Sequence, residues 1–218
     1  MFNFDCDGLA LHSSAADPLK LLSVLASVPP NKAGARLRDI PGLLELLGAG
    51  SVPMNIARSH IGQDARPVRA ILFNKSPANN WPLGWHQDRT IAVAARHDVP
   101  GFAHWTIKSG VQHVEPPTAV LGRMVTLRVH LDDVDANNAP LRVAVGSHRL
   151  GLIPEQDYAG VIHSRDEHVC RAKAGDIWAY STLILHASAA AIRPSRRRVL
   201  QVDYAADDLP EPLEWAGV

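Results

Sequence analysis

From Pro67 onward the chain is a succession of short β-prone runs separated by Gly, Pro, Asn and Asp. That punctuation restricts the fold to a sandwich or barrel of short strands. The runs are Val68 to Phe73, Gly84 to Asp88, Met124 to Leu131, Leu141 to Val145, Glu167 to Ala172, Asp176 to Tyr180, Leu183 to His186 and Arg197 to Tyr204. Eight segments make two facing four-stranded sheets, which predicts a mainly β fold with flanking helices: a double-stranded β-helix of the jelly-roll, cupin-like kind. Turn signals at 132–138, 146–148 and 174–176 fall between them.

Upstream, the period is helical. Asp17 to Val28 reads as a helix with Asp17 as N-cap, Pro18 in the first turn, and Pro29-Pro30 as its stop. A second helix is predicted from Asp39 through Leu47, closed by Gly48 and Gly50. The 218 residues suit one domain spanning 1–218, with residues 1–66 as a helical segment packed on the jelly roll. The stretch 90–118 has no clear period, and a connection of that length directly after a candidate site is expected to be a lid.

Within the second run, His86 and Asp88 form an H-x-D pair. Side chains two apart on a strand share a face, so the imidazole and the carboxylate can reach one ion together. His186, after the apolar run Leu183-Ile184-Leu185, is the candidate third ligand. Two histidines and a carboxylate on one side of a metal leave open positions opposite, the arrangement of non-haem Fe(II) oxygenases. Such chemistry with O2 needs a co-substrate that contributes two electrons, and a 2-oxo acid can do so. Its far carboxylate needs an anchor suited to the planar fork of an arginine. Arg196, Arg197 and Arg198 open the last strand, and parity separates them: Arg197 shares a face with Val199, Gln201 and Asp203, the more polar side. Ser188 lies two residues after His186 and could offer its hydroxyl to the same group.

Other residues are weaker candidates. Trp81, Trp85 and Trp105 flank the metal pair and the lid, where Trp105 could exclude water from the reaction, and Lys75 and Lys108 could hold an acidic group on the substrate, although lysines are more often solvated. His148 is read as the organiser of its turn. His104, His113 and His130 lie near the lid or sheet and could touch substrate.

The ordered set of His86-Gln87-Asp88, the stretch 137–151 containing Gly146-Ser147-His148, Ala174-Gly175-Asp176-Ile177-Trp178, His186-Ala187-Ser188 and Arg197 resembles the phytanoyl-CoA dioxygenase family. The resemblance covers roughly Arg69 to Ala205. It implies Fe(II) held by His86, Asp88 and His186, 2-oxoglutarate held by Arg197 with help from Ser188, and oxidation by O2, with hydroxylation as the default outcome. Val145 stands where the family turn usually has proline, and Ala187 where glycine is common. Asp88 retains the carboxylate that related halogenases lack.

Lys plus Arg and Asp plus Glu are both 22, so no charge imbalance points to nucleic acid or an anionic membrane; a small-molecule substrate is expected. Cys6 and Cys170 read as free thiols of a reducing cytoplasm, and no secretion signal or membrane span is expected. Two other readings stay open: a cupin-like metal hydrolase or isomerase, and a jelly-roll protein that only binds its ligand. The sequence leaves the substrate and the oligomeric state undetermined.

Overall fold

The structure, a computed structural model, describes residues 2–30 and 32–218. Its helices before the jelly roll are α1 (Phe4–Asp7), α2 (Pro18–Val24), α3 (Leu43–Leu47) and α4 (Val52–Ile61). The strands are β1 (Leu9–His12), β2 (Gly34–Leu37), β3 (Arg66–Lys75), β4 (Leu83–His86), β5 (Ile91–Val93), β6 (Ala103–Lys108) and β7 (Val111–Glu115). They continue with β8 (Met124–His130), β9 (Leu141–Ala144), β10 (Glu167–Cys170), β11 (Ile177–Ser181), β12 (His186–Ser188) and β13 (Arg197–Ala205).

The architecture follows from the alternation within β13. Leu200, Val202 and Tyr204 point away from the sandwich, fully buried against α3, α4 and the residues around α2. Arg197, Val199, Gln201 and Asp203 point into it. β13 lies between β3 and β8, antiparallel to both, so its two faces propagate across the sheet. The order is β1-β11-β8-β13-β3-β2, facing a second sheet of order β10-β9-β12-β4. The eight strands expected from the sequence are the four central strands of the first sheet and all four of the second. The double-stranded β-helix is therefore present, and the first sheet is longer than expected because β1 and β2 extend its two edges.

That addition corrects the reading of residues 1–66 as helical, since both edge strands come from there. Alanine, glycine and short alternations gave Gly34–Leu37 no strand signature of its own; its pairing with β3 supplies one. Asp17 does cap α2, accepting from the amides of Leu19 (3.0 Å) and Lys20 (3.2 Å), but the helix ends at Val24 and a 3₁₀ turn continues to Ser27. The helix expected from Asp39 begins only at Leu43, because Asp39 and Gly42 both have left-handed backbones that cannot lie inside it. α4 was not anticipated; Ser51 caps it through the Met54 amide at 3.2 Å, and Met54, Ile56 and Ala57 bury its inner face.

Leu183 to His186 also differs. His186 opens β12, and the apolar run before it forms a buried corner, not a strand. Leu183, Ile184 and Leu185 enter three separate apolar clusters, which only a turn allows. The stretch 90–118 is a small sheet of order β5-β7-β6, closed by a two-residue hairpin at Ser109-Gly110 with both φ angles positive.

Leu200 has no exposed surface and sits at the centre of the helix-covered face. Leu200→Ala is expected to lower the unfolding free energy by about 2–5 kcal/mol, read from urea denaturation. A loss below about 1 kcal/mol would mean that the helical layer does not depend on this face.

Candidate active site

Strands β4 and β12 pair antiparallel with His86 opposite His186, and this pairing brings the two imidazoles to a centroid separation of 4.2 Å. The next pairing is Ser188 with Leu83, so three steps on β4 oppose two on β12, a β-bulge. The bulge turns Leu83 and His86 to the same side, while Trp85 faces the other. Past the end of β4, Asp88 brings its carboxylate back to the two rings. Ligand atoms of His86, Asp88 and His186 lie within 4.8 Å of one another.

Each imidazole is held by its own backbone. His86 Nδ1 is 2.8 Å from the Gly84 carbonyl and His186 Nδ1 is 2.9 Å from the Ile184 carbonyl. A carbonyl only accepts, so the proton is assigned to each Nδ1, and the Nε2 lone pairs are left for a metal. Burial, then the neighbouring His86, lowers His186 to about 4, which keeps it neutral at ordinary pH. For Asp88 burial works against the charge, but His186, Arg69, His86 and Arg128 outweigh it and hold the carboxyl below its usual range. A neutral His186 and an ionised Asp88 are the states that a divalent cation requires.

Gln87, between the two ligands, was not singled out by sequence reasoning. Its buried amide donates to the carbonyls of Gly151 (2.9 Å) and Leu183 (2.5 Å) and accepts from the Ile153 amide at 2.8 Å. It thus ties the H-x-D segment to the loop after β9 and to the corner before His186. Ser147, in the turn that the sequence marked, accepts from the Leu185 amide at 2.9 Å and steadies the same corner.

The inner face of the six-stranded sheet forms the opposite wall. Gln201 donates to Asp88 Oδ2 at 3.3 Å and accepts from Arg128 at 3.0 Å, linking the walls. Arg69 pairs with Asp203, which also accepts from Thr126 at 2.9 Å. Arg197 stands opposite Lys75 at the end of β3, almost fully buried, and donates to the Ala139 carbonyl. Ser188 donates to that carbonyl at 3.1 Å and accepts from Lys75 Nζ at 3.2 Å. Among the described residues Arg197 has no carboxylate within ion-pairing reach, and its Nε is buried without a partner. Burial, then Arg128, pulls Arg197 down to about 9. Such a charge calls for an anion.

Between the walls lies a cavity of about 170 Å³ that His86, Asp88, His186, Arg197, Ser188 and Lys108 all border. Lys75 borders it too and is buried, the rarer of the two readings open to it; the Trp81 carbonyl at 2.8 Å and Ser188 replace its water. Trp85 and Trp105 are not in the lining. Trp85 packs under Arg142, 5.4 Å from its guanidinium carbon, because it is next to His86 on β4 and so faces the opposite side, and Trp105 lies under Arg96 against the apolar cluster of the small sheet. Trp81 takes the aromatic place in the wall. His113 and His130 are buried outside the lining, His104 is exposed, and His148 does hold its turn against the Asp5 carbonyl.

Two measurements check this description. Gln87→Leu leaves the partners of a buried amide unmatched and is expected to weaken Fe(II) binding by about 10–100-fold, measured by metal titration. Unchanged affinity would show that Gln87 does not position the H-x-D segment. Separately, burial lowers His130 from 6.5 to about 3. Below pH 6.5 the unfolded chain takes up a proton that the folded one refuses. The stability due to neutral His130 is therefore complete above that pH and drains away as pH falls towards 3. His130→Leu should flatten the fall in urea stability between about pH 6 and 4, by up to about 1.4 kcal/mol per pH unit. The same slope in both proteins would contradict a buried neutral His130.

Comparison with known proteins agrees with this geometry. Residues 30–199 match the model of the family described as phytanoyl-CoA dioxygenase (PhyH). None of the curated proteins matches the sequence. Among solved structures, EctD from S. alaskensis with 2-oxoglutarate and 5-hydroxyectoine is similar at a TM-score of 0.71 and 20% identity, over 99% of this chain and 77% of that one. AviO1 from Streptomyces viridochromogenes Tue57 gives 0.63 and 19%, over 95% and 93%. HygX from Streptomyces hygroscopicus with nickel and 2-oxoglutarate bound gives 0.63 and 15%, over 93% and 84%. The chain belongs to the phytanoyl-CoA dioxygenase family, and with it to the oxidoreductases that draw on Fe(II), 2-oxoglutarate and dioxygen.

Proposed function

We propose that this chain hydroxylates an unactivated C–H bond of a small molecule, with 2-oxoglutarate decarboxylated to succinate. His86, Asp88 and His186 hold Fe(II) in this reading, and Arg197 with Ser188 holds the far carboxylate of 2-oxoglutarate. The observation that carries it is the juxtaposition of two kinds of site in one cavity. One is a set of ligand atoms within 4.8 Å, and the other is a buried arginine with no carboxylate of its own among the described residues. A cupin-like hydrolase would use the first and leave the second without a purpose.

When bound, Fe(II) brings the co-substrate and dioxygen together for the oxidation. The protein's part is orientation and exclusion. Arg197 supplies parallel donors for a carboxylate, Ser188 a hydroxyl beside it, and Lys75 a further positive charge next to both. Gln201 keeps Asp88 turned towards the histidines. Ile71, Phe73, Trp81 and Leu141 give the cavity apolar walls that keep water from a reactive centre. The whole chain is proposed to act as one oxygenase domain, with 90–118 as its lid. We place it in the cytoplasm; its two cysteines are unpaired, and among the described residues no helix is long and apolar enough to cross a membrane.

The test is an anaerobic titration of metal-free protein with Fe(II) and then 2-oxoglutarate, following the visible charge-transfer band of the chelate. Wild type should develop the band, Asp88→Ala should lose it, and Arg197→Ala should need at least about tenfold more 2-oxoglutarate, since truncating one side of a buried charge pair costs about 2–5 kcal/mol. No band in wild type with iron demonstrably bound would sink the oxygenase reading.

A further inference from the structure

The cavity carries more positive charge than the metal and its co-substrate can use. Arg36, Arg69, Lys75, Lys108, Arg128 and Arg197 all border it, and Asp88 is the acidic residue beside them. Asp203 answers Arg69, Asp88 is committed to the metal, and Arg197 to the co-substrate. Arg36, Lys75, Lys108 and Arg128 remain, none with a carboxylate in ion-pairing reach among the described residues.

These cations form two groups. Lys75 and Arg128 stand with Arg197: burial and then the charges of Arg197 and Arg128 lower Lys75 to about 8. Away from Arg197, on the other side of the metal carboxylate, Lys108 is lowered by burial and then by Arg36 and Arg69, with Asp88 opposing them. The strand register fixes the distance between the ends. Arg36 lies opposite Ile71, Ile71 lies opposite Gln201, and Arg197 is four residues further along β13. At about 3.3 Å per residue and 4.8 Å per strand, the backbones of Arg36 and Arg197 are ~16 Å apart. The two side chains therefore enter the cavity from different places.

The Arg36 end is built for a ligand. Its Nε is buried and meets no partner. Lys108 borders the same cavity from the hairpin, where the positive-φ pair Ser109-Gly110 sets Lys108 opposite Val111. Between this end and the metal centre the wall is Ile71 and Phe73. Neither Arg36 nor Lys108 belongs to the eight strands of the jelly roll.

We propose that Arg36 and Lys108 form a second anion-binding pole, and that the substrate is a small organic anion: its carboxylate or phosphate sits at that pole, and its apolar body lies along Ile71 and Phe73 with a C–H bond facing the metal centre. The inference rests on the oxygenase reading and names the substrate class for it. Arg36 supplies a planar fork and Lys108 a mobile point charge, a combination that accepts either anion.

The experiment is calorimetric titration of the anaerobic Fe(II)- and 2-oxoglutarate-loaded protein with hexanoate, hexyl phosphate and hexanamide, in wild type, Arg36→Gln and Lys108→Gln. At least one anion should bind wild type, with hexanamide about tenfold weaker or worse, and each variant should weaken the anion by about tenfold while half-saturation by 2-oxoglutarate stays within about twofold. The tighter of the two anions identifies the headgroup. Equal binding of hexanoate and hexanamide would overturn the proposal, as would no anion binding to loaded wild type or unchanged anion affinity in the exposed-site variant Lys108→Gln. If Arg36→Gln raised the 2-oxoglutarate requirement as much as it weakened the anion, Arg36 would belong to the co-substrate site and the second pole would be refuted. Failure of the chelate band in wild type appears before any anion is added, so it is read separately as failure of the oxygenase reading, and it takes this inference with it.

Discussion

A sheet that turns charged side chains towards its partner sheet must match those charges or leave them unsatisfied at a cost of several kcal/mol each. Here one strand imposes that constraint. β13 is apolar towards the helices and polar towards the sandwich, and its neighbours repeat the division, so Arg69, Arg128 and Arg197 all face inward. Asp203 and Gln201 satisfy part of this polar face through Arg69, Thr126, Arg128 and Asp88. What they leave unmatched is the binding chemistry. The helical layer matters for the same reason: it covers the apolar side of the strand and lets the other side remain polar at the centre of a folded chain.

Much of this was legible because it depends on period-two alternation. Parity in β13 separates Arg197 from Arg196 and Arg198, and the structure sends Arg197 into the cavity while Arg198 pairs with Asp132 at 2.6 Å. The H-x-D pair and the later histidine were legible as strand residues, and their convergence follows from the pairing of β4 with β12. What could not be read depends on departures from alternation or on partners remote in sequence. The bulge in β4 brings Leu83 to the side of His86, and no residue in Trp81 to Asp88 announces it. Lys75 is buried because Trp81, Ser188 and Ala189 present oxygen atoms to it, two of them more than a hundred residues away. Gln87 has the parity opposite to the ligands, which disguised its part in holding them. Arg36 sits in a four-residue strand that exists only through its neighbour β3.

The site also divides by origin. The Arg197 cluster comes from β3, β8 and β13, whose register is fixed by long ladders, and the two metal histidines from jelly-roll strands joined by a short bulged ladder, with Asp88 just beyond. The Arg36 end comes from an edge strand and a hairpin, each with a single ladder to the rest. Rigid chemistry and adaptable recognition are thus carried by elements of different stability, which is how loops and edges on a firm scaffold commonly diversify.

The hairpin between β6 and β7 shows how easily that recognition could change hands. Its two-residue turn leaves no slack, so the adjacent side chains that enter it from β6 face opposite ways: Lys108 borders the cavity, and Ile107 is 67% exposed. Insertion or deletion of one residue before the turn shifts this alternation by one and exchanges the two. The ammonium would leave the cavity mouth and a branched hydrocarbon would take its place, with every metal ligand untouched. A lineage carrying this hairpin therefore has a one-codon route from a charged to a greasy mouth, and its members could differ in diet while sharing the same iron chemistry.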